Sequence, residues 1–594
     1  MLPPSVTQVR PPDAKNRSST SLWRLRSYVR PHAWRLILML GAALAGVVVG
    51  LAIPLVTRAI VDGPIHDHDS GGIVTLGLLA MALGCLEAFL IFIRRWVQAP
   101  AVMGMELDLR NDLYEHLNEL PMEFHSRWQS GQLLSRVTSD LSTIRRFSGF
   151  GMIFLVTNVI QLILTSALLL HLYWPLGLVV IVAAAPIIYT SMSFEKRYVL
   201  VSRRVQDQRG DIATQVEESA LGIRIIKSFG RSEYAFDKYD LRAKRLYESE
   251  MQQVRLAARF WTFLEVLPNV ALVVVLLLGA LAVGNDALTL GTLVAFVTLM
   301  LSLVWPVESL GVILAMLQES MTAADRVLEI LDTKPTIIGG DLTVDDPRGH
   351  VQLQVVEFTF PDADEPVLHD INLDIAPGET LAIVGATGSG KTALTALIPR
   401  LRDVTGGRLL VDGIDVRDLT LDSLRSIVAT AFEDPTLFSM SARENIALGR
   451  PDATDDEIRE GLEIAQAMFV YDLPWGLDTR IGEQGMSLSG GQRQRVALAR
   501  AIVARPHVLI LDDTLSALDV HTEALVEESL RTILASTTSI IVAHRASTVQ
   551  LADKVALLQG GTITHIGQHS DLMATVPAYR ELLAADSEDL AVKP

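Results

Sequence analysis

A glycine-rich segment that follows a short apolar run has the clearest chemistry in this sequence. The run Leu381–Val384 predicts a buried strand, and it leads into a phosphate-binding loop that opens a helix: Gly385, Ala386, Thr387, Gly388, Ser389, Gly390, Lys391 and Thr392. In such a loop the glycines let backbone N–H groups close around phosphate oxygens. The lysine reaches the β- and γ-phosphates, and the threonine hydroxyl binds Mg²⁺. Alone, this loop predicts only a nucleotide site.

Further short motifs follow the loop in a fixed order. They are Leu488, Ser489, Gly490, Gly491 and Gln492; the apolar run from Val508 that ends in Asp512 and Asp513; Ser516 to Asp519; and Ile541 to His544. In that order, and with hydrophobic spans ahead of them, the motifs resemble an ATP-binding cassette (ABC) half-transporter of the exporter type. The resemblance covers all but about the first twenty residues. The alternative, an unrelated phosphate-loop protein, does not explain the full set.

Composition agrees with a membrane protein. The 594 residues have a mean hydropathy of +0.33, and 49% of them are hydrophobic. A spanning helix needs roughly 20 mostly apolar residues, and six stretches qualify: about 36–60, 73–93, 150–173, 175–194, 260–284 and 291–315. The resemblance implies an all-α, six-helix transmembrane domain with long cytoplasmic helical extensions, followed by an α/β phosphate-loop ABC ATPase domain.

The basic residues predict the orientation. The connections 62–72, 172–175 and 285–290 contain no Lys or Arg, whereas 94–146 and 195–259 are rich in both. Because cytoplasmic loops carry the excess of Lys and Arg, we expect both termini and the ATPase in the cytoplasm and the protein in the plasma membrane, the inner membrane of a bacterium. The net charge of −17 gives no sign of a nucleic-acid partner, and the single cysteine, Cys85, excludes a disulfide framework.

Changes in polarity predict the domain boundaries. We expect a disordered cytoplasmic leader at 1–21, for which a transit peptide is the alternative, and a transmembrane domain at 22–325. A linker with Pro335, Gly339, Gly340 and Pro347 is predicted at 326–350, the ABC domain at 351–585 and a tail at 586–594. With one cassette, the chain holds half of the expected machine.

The resemblance implies roles for individual residues at the nucleotide site. Phe360 matches the aromatic residue that stacks on adenine, Asp512 the carboxylate that holds Mg²⁺, and His544 the histidine that contacts the γ-phosphate. In this family each ATP lies between the phosphate loop of one cassette and the signature segment of the other. Leu488 to Gln492 would therefore act in trans, with Asp519 in the neighbouring loop.

Two positions depart from the family pattern. Glu433 stands where a glutamine usually links Mg²⁺ to the attacking water, and Asp513 replaces the glutamate that acts as general base. The shorter side chain withdraws the carboxylate by roughly 1.5 Å, and a misplacement of about 1 Å can cost on the order of a hundredfold in rate. We therefore expect ATP binding with little hydrolysis at this site, and a heterodimer with a hydrolytic partner. The alternative for the site is that Glu433 still binds Mg²⁺, with Thr392 and Asp512, and that Asp513 still works slowly. The alternative for the assembly is a homodimer.

Segments outside the ATPase domain are expected to transmit force between the ATPase and the membrane domain, and to bind substrate. Family resemblance places coupling helices near Phe124, His125, Arg127 and Trp128, and near Arg224 and Lys227; the stretch 479–485 would sense the partner's coupling helix. Three carboxylates interrupt the spans, Glu87, Glu265 and Glu308, where a charge usually faces a cavity or a partner. They could bind the cationic part of an amphiphile or pair with arginines such as Arg94 or Arg259.

The sequence leaves the direction of transport open. We expect export of a hydrophobic or amphipathic drug or lipid. An importer of exporter architecture, for example for a metal chelate, and a nontransporting ATP-sensing regulator remain as alternatives.

Overall fold

The protein is described by a computed structural model that covers residues 21–482, 485 and 487–583. The predicted tail, nearly all of the predicted leader, and Glu483 and Gln484 of the predicted sensing stretch lie outside the described residues. The chain divides into two compact units. One contains the described residues up to Asn118 and those from Ser130 to Thr333, and the other contains Glu119–Gln129 and the described residues from Lys334 onward.

The region before residue 334 is helical. Its helices are α1 (Ser21–Arg24), α2 (Arg26–Val29), α3 (Ala33–Ile60), α4 (Ser70–Glu119), α5 (Met122–Arg127), α6 (Ser130–Ser135), α7 (Leu141–Arg146), α8 (Met152–Leu221), α9 (Ile223–Ser228), α10 (Ser232–Gly284), α11 (Leu290–Ser302) and α12 (Val304–Leu331). Helix α5 belongs to the second unit. Wider π-helical turns occur at Val61–Ile65, Arg136–Asp140 and Phe147–Gly151.

Five helical segments of the described chain are long and apolar enough to cross a membrane: Arg26–Ile65, Ser70–Glu119, Ser130–Ile187, Ser232–Gly284 and Leu290–Leu331. The third of them contains the predicted span 150–173 and most of the predicted span 175–194. At the end of the first of these spans, Tyr173 leaves the helical conformation, with φ −162° and ψ 97°. Helix α4 has 50 residues, about 75 Å at 1.5 Å per residue. That length is more than twice the roughly 30 Å of a bilayer's hydrocarbon core, so the helix extends well beyond it.

The first unit has a compact apolar core where α8, α10 and α11 meet. Leu169, Val275, Phe296 and Leu299 are fully buried there. By contrast, many large apolar side chains of α4 and α10 are exposed, for example Phe89 and Leu277. Exposed apolar side chains on such long helices are expected where lipid surrounds the protein.

The second unit combines two sheets with short helices. Its strands are β1 (Val351–Phe358), β2 (Leu368–Ile375), β3 (Thr380–Val384), β4 (Gly406–Val411), β5 (Ile414–Asp415), β6 (Val428–Ala431), β7 (Val508–Asp512), β8 (Thr538–Val542), β9 (Lys554–Gln559) and β10 (Thr562–Gly567). Its helices after α5 are α13 (Lys391–Leu397), α14 (Leu421–Ile427), α15 (Ala442–Ile446), α16 (Asp455–Ile464), α17 (Gly490–Val503), α18 (Val520–Leu534), α19 (Ala546–Val549) and α20 (His569–Thr575).

The larger sheet positions the functional loops. Its strand order is β10-β9-β3-β8-β7-β6, and all pairs are parallel except β10 with β9. Every residue of β3, β7 and β8 is buried, as expected for parallel strands covered on both faces. Because parallel strands end at the same edge, the segments after β3, β8, β7 and β6 meet there. These segments begin at Gly385, Ala543, Asp513 and Phe432.

The smaller sheet is antiparallel, with the order β2-β1-β4-β5. Its apolar residues form a core with those of β3, α13 and α14, which includes Val351, Ile371, Leu409 and Leu424. Strand β1 ends at Phe358, two residues before Phe360, so this sheet carries the aromatic residue predicted for adenine.

Candidate nucleotide-binding site

The phosphate loop joins β3 to α13. Gly390, at the N-terminus of α13, has φ +102°, a conformation that L side chains rarely adopt. A Cβ atom on Gly385 would lie 2.4 Å from the carbonyl oxygen of Leu558, so this position also requires glycine. The buried Lys391 ammonium donates to the carbonyl oxygens of Gly385, at 2.7 Å, and Ala386, at 3.1 Å. The loop thus has the backbone and the cation that a phosphate site needs.

Asp512, at the end of β7, faces the start of α13. The Thr395 hydroxyl donates to its carboxylate at 3.3 Å, and the Thr392 hydroxyl lies 3.5 Å from its other oxygen. Burial raises the pKa of Asp512, and the two threonine hydrogen bonds oppose that rise. Hydroxyl and carboxylate oxygens are ligands that Mg²⁺ prefers, so Thr392 and Asp512 fit a Mg²⁺ ion that would neutralise phosphate charge.

Asp513 has a left-handed backbone, with φ +49°. Among residues with a side chain, Asp and Asn tolerate this conformation best. Burial raises the pKa of the Asp513 carboxyl; His544 lowers it, and the charge of Glu433 raises it further. Asp513 and His544 line a cavity of about 20 Å³, which has room for about one water molecule. The structure therefore brings the predicted base and the predicted γ-phosphate histidine together.

Glu433 follows β6 and is exposed. Its negative charge raises the pKa of both Asp512 and Asp513. Next to His544, Arg545 forms an ion pair with the buried Glu523 of α18. This ion pair ties the segment after β8 to α18 and limits the positions that His544 can take.

The signature segment opens α17. Ser489 is the N-cap: its hydroxyl accepts from the backbone N–H of Gln492 at 3.2 Å, and the Gln492 side chain accepts from the backbone N–H of Ser489 at 2.9 Å. This reciprocal capping leaves the N–H groups of Gly490 and Gly491 at a helix N-terminus, which favours an anion. The segment is suited to contact a phosphate.

The loop after Asp513 is bound to the same helix. Gln494 of α17 donates to the Ser516 hydroxyl at 3.1 Å and accepts from the backbone N–H of Ala517 at 2.9 Å. Asp519 ends this loop and caps α18, accepting from the N–H of Thr522 at 3.0 Å. The signature helix and the loop after the predicted base are therefore hydrogen-bonded within one chain.

Arg402 joins Phe360 to α5, a link that the sequence did not predict. Its guanidinium lies 4.8 Å from the centre of the Phe360 ring and 5.8 Å from that of Phe358. The same group forms an ion pair with Glu123 at 2.7 Å, in which both side chains are about four-fifths buried. A cation over an aromatic face is attracted to it, so Arg402 holds the Phe360 ring from one side.

The two predicted coupling segments differ in exposure. On α5, Phe124 is buried and packs against the rings of His125 and Trp128. On and after α9, Ile225 and Phe229 are 64% and 75% exposed, and the predicted Arg224 and Lys227 are exposed as well. The segment Ile223–Phe229 therefore presents an apolar tip between basic side chains.

Only one of the three membrane carboxylates lines the cavity among α3, α4, α8 and α11. This cavity, of about 330 Å³, is lined by Glu87, Arg94, Gln161, Thr298 and Ser302, with Gly46 and Gly50 on α3. A Cβ atom on Gly50 would lie 3.2 Å from the Glu87 carboxylate. Glu265 is exposed and Glu308 is half-buried, and neither lines this cavity. None of the three forms an ion pair with another described residue.

Comparison with known proteins places the whole chain in one family. The family model described as ABC transporter transmembrane region matches residues 36–307, and the one described as ABC transporter matches residues 368–516. An ATP-dependent lipid A-core flippase of Thiobacillus denitrificans is 33% identical over 567 residues, which are 94% of this chain and 97% of the flippase. The chain belongs to the ABC transporters.

Two further similarities refine this result. A multidrug efflux ATP-binding/permease protein of Mycobacterium bovis is 36% identical over 576 residues, 96% of this chain, and the chain spans about half (48%) of that protein's length. A solved bacterial Atm1-family ABC exporter with ATP bound matches 93% of this chain and 98% of its own, with a TM-score of 0.76 and 25% identity. This ABC transporter is thus of the exporter type, with fused transmembrane and ATPase domains, and the predicted fold class is confirmed.

Proposed function

We propose that this chain is a subunit of an ATP-driven exporter that moves a hydrophobic or amphipathic compound, a drug or a lipid, outward from the cytoplasm or the inner leaflet. Two observations support the proposal: the long membrane-crossing helices precede an ABC ATPase domain, and the similar proteins are described as a multidrug efflux protein and a lipid A-core flippase. The termini and the ATPase domain lie in the cytoplasm, in agreement with the distribution of Lys and Arg.

The phosphate loop of this chain binds ATP, and Asp513 hydrolyses it slowly. The observation that carries this proposal is Asp513 itself, a short carboxylate on a left-handed backbone at the position of the general base. Because Asp is one methylene shorter than Glu, its carboxylate lies roughly 1.5 Å further from the attacking water. A misplacement of only about 1 Å can lower the rate about a hundredfold. Glu433 adds a negative charge beside Asp513, where the family has a neutral glutamine.

The efficient active site belongs to a partner, a second half-transporter in a heterodimer. The capped signature helix supports a second half-transporter as the partner, because Ser489, Gly490 and Gly491 form a helix N-terminus suited to the phosphate of an ATP held by another cassette. The exposed apolar tip of Ile223–Phe229 supports it too, since such a tip fits a groove on another cassette.

The nucleotide acts on the membrane domain through Arg402. With its guanidinium on one face of Phe360 and its ion pair to Glu123, Arg402 connects the ring that stacks on adenine to the coupling helix α5. When adenine occupies the other face of Phe360, the ring is held between two partners. Binding of ATP therefore limits the movement of Arg402 and, through Glu123, of α5.

The substrate binds in the cavity that contains Glu87. A half-buried carboxylate in a membrane segment usually faces a cavity or a partner, and Glu87 has no ion pair with any described residue. Because the same cavity holds Arg94, Gln161 and apolar residues of α3, it suits an amphiphile with a polar or charged head. We expect a cationic group on that amphiphile to lie at Glu87.

Transport in membrane vesicles tests the proposal. In inside-out vesicles that contain the complex, ATP should drive a fluorescent cationic amphiphile into the lumen, with little accumulation when the ATP is replaced by a nonhydrolysable analogue. Accumulation only in right-side-out vesicles would instead indicate an importer. Ligand-stimulated ATP hydrolysis without movement in either preparation would indicate a regulator.

A separate measurement tests the slow site. The purified chain should bind ATP with Mg²⁺ yet hydrolyse it at a rate about a hundredfold below that of the complex with its partner. Turnover of the chain alone at the rate of the complex would contradict the assignment of Asp513 as a poor base, and it would favour a homodimer.

A further inference from the structure

A second cavity in the membrane unit has three arginines among its lining residues. It has a volume of about 320 Å³ and lies between α4, α7 and the π-helical turn Phe147–Gly151. Its polar lining consists of Gln98 and three arginines, Arg95, Arg145 and Arg146. The remaining lining is apolar or small: Ala99, Val102, Met103, Gly149 and Phe150.

The positive charge of this cavity is only partly neutralised. Arg145 pairs with Glu106 at 2.7 Å, but Glu106 also pairs with Arg110 at 2.6 Å, so two guanidinium groups share one carboxylate. The Arg146 guanidinium donates to the neutral Thr143 hydroxyl at 3.2 Å. Arg95 has neither an ion pair nor a hydrogen bond with any described residue. The lining therefore carries a net positive charge that an anion can neutralise.

The cavity lies where two membrane spans are predicted to end. The span 73–93 stops just before Arg95, and the span 150–173 begins at Phe150, next to Gly149. Beside Arg95, the Trp96 ring is 71% exposed and lies 5.7 Å from the Phe92 ring. Exposed aromatic rings of this kind collect at the depth of lipid headgroups, so the arginines lie at that depth as well.

Helix α4 approaches the π-helical turn closely at Gly149. The Gln98 amide donates to the carbonyl oxygen of Gly149 at 3.0 Å, and a Cβ atom on Gly149 would lie 3.2 Å from Val102. Met103 and Phe150 are partly exposed beside the arginines. One wall can therefore contact an acyl chain while the basic side contacts a headgroup.

We infer that this cavity binds the phosphate of an anionic phospholipid at the cytoplasmic surface of the membrane. Basic pockets between transmembrane helices on this side bind anionic headgroups, and the inner leaflet attracts such basic groups. The inference rests on the proposed orientation of the protein and not on the proposed substrate, because the Glu87 cavity has a different lining. Free inorganic phosphate is the other source of the same chemistry.

Lipid binding can be measured without transport or ATP hydrolysis. The purified full chain is titrated with phosphatidylglycerol and, separately, with phosphatidylcholine, and bound lipid is counted by native mass spectrometry. The double variant R95Q/R146Q should weaken phosphatidylglycerol binding about 30-fold, since each arginine near an anionic surface contributes a roughly fivefold change in affinity. Binding of phosphatidylcholine should change little.

Two control variants separate charge from folding. R95K/R146K keeps the charge and should retain most of the phosphatidylglycerol binding. R203Q/R204Q removes two exposed arginines of α8 outside the cavity and should bind like the unchanged chain. Equal phosphatidylglycerol affinity in R95Q/R146Q and the unchanged chain would overturn the inference, as would an equal loss in R203Q/R204Q. If millimolar inorganic phosphate displaces the lipid, the inference of a lipid ligand is wrong and the site binds a soluble anion.

Discussion

Restoring the glutamate at position 513 should accelerate ATP hydrolysis by this chain. Asp513→Glu extends the carboxylate by roughly 1.5 Å toward the site of the attacking water, and correcting a misplacement of about 1 Å can recover on the order of a hundredfold in rate. A hundredfold gain corresponds to about 2.7 kcal/mol of transition-state stabilisation. Asp513→Asn keeps the length but removes the charge, so it should have almost no turnover.

The backbone at this position makes the change costly for stability. Asp513 has φ +49°, and a left-handed conformation costs roughly 1–2 kcal/mol for a residue whose side chain cannot make the local hydrogen bonds of Asp. We therefore expect the melting temperature of the ATPase domain to fall by a few degrees, about 2–4 °C per kcal/mol for a domain of this size. The variant should be faster and slightly less stable.

The assay is phosphate release by the chain in nanodiscs, with the mass of the ATP-bound particle measured in parallel. That mass shows whether two copies of the chain associate. Association must be measured because, in the proposed assembly, each ATP site needs the phosphate loop of one cassette and the signature segment of another. If Asp513→Glu forms the ATP-bound dimer and still hydrolyses no faster than the unchanged chain, the length of the base does not limit the rate. The effect of Glu433 would then be the next explanation to test.

The remaining predictions concern the partner's site, the coupling contact and the substrate cavity. In the complex, Ser489→Arg should abolish most turnover because it blocks the partner's site, whereas Asp513→Ala should cost much less; the reverse order would reverse the assignment of the sites. Arg402→Ala should raise the KM for ATP at least two- to fivefold, because even an exposed cation–π contact contributes about 0.5–1 kcal/mol and this guanidinium is mostly buried. Glu123→Gln should leave that KM unchanged and weaken only the stimulation by substrate, and an equal KM effect in both variants would contradict separate roles. Glu87→Gln should weaken stimulation by a cationic amphiphile with basal turnover nearly unchanged, and the matched controls Glu265→Gln and Glu308→Gln should not.

The fold and the ATP motifs could be predicted because they depend on local sequence. The phosphate loop follows a strand and opens a helix, and the parallel arrangement then places the ends of β3, β7 and β8 at one edge. Apolar stretches of the required length predicted that the chain crosses a membrane. These signals lie within short windows, where residue type alone restricts the backbone.

Contacts between distant segments could not be read in this way. Arg402 lies 279 residues from Glu123, and no spacing rule connects it to Phe360. Likewise, no glycine marks the left-handed backbone of Asp513 in the sequence. The hydrogen bond from the Ala517 N–H to the Gln494 side chain depends on how α17 packs. The three carboxylates show the same limit, since only the arrangement of α3, α4, α8 and α11 shows that Glu87 lines a cavity.

On the proposal that Asp513 is a slow base in a heterodimer, the hydrogen bond that Gln494 accepts from Ala517 accounts for how this chain would still serve the complex. In that heterodimer the loop after Asp513 would respond to the nucleotide at this chain's own phosphate loop, and α17 would present Ser489 to the ATP of the other chain. Because Gln494 holds Ser516 and Ala517 at 3.1 and 2.9 Å, a movement of this loop must move the start of α17. ATP that stays bound without hydrolysis would then keep the signature segment in position through the partner's cycle, so slow hydrolysis at Asp513 need not weaken the complex.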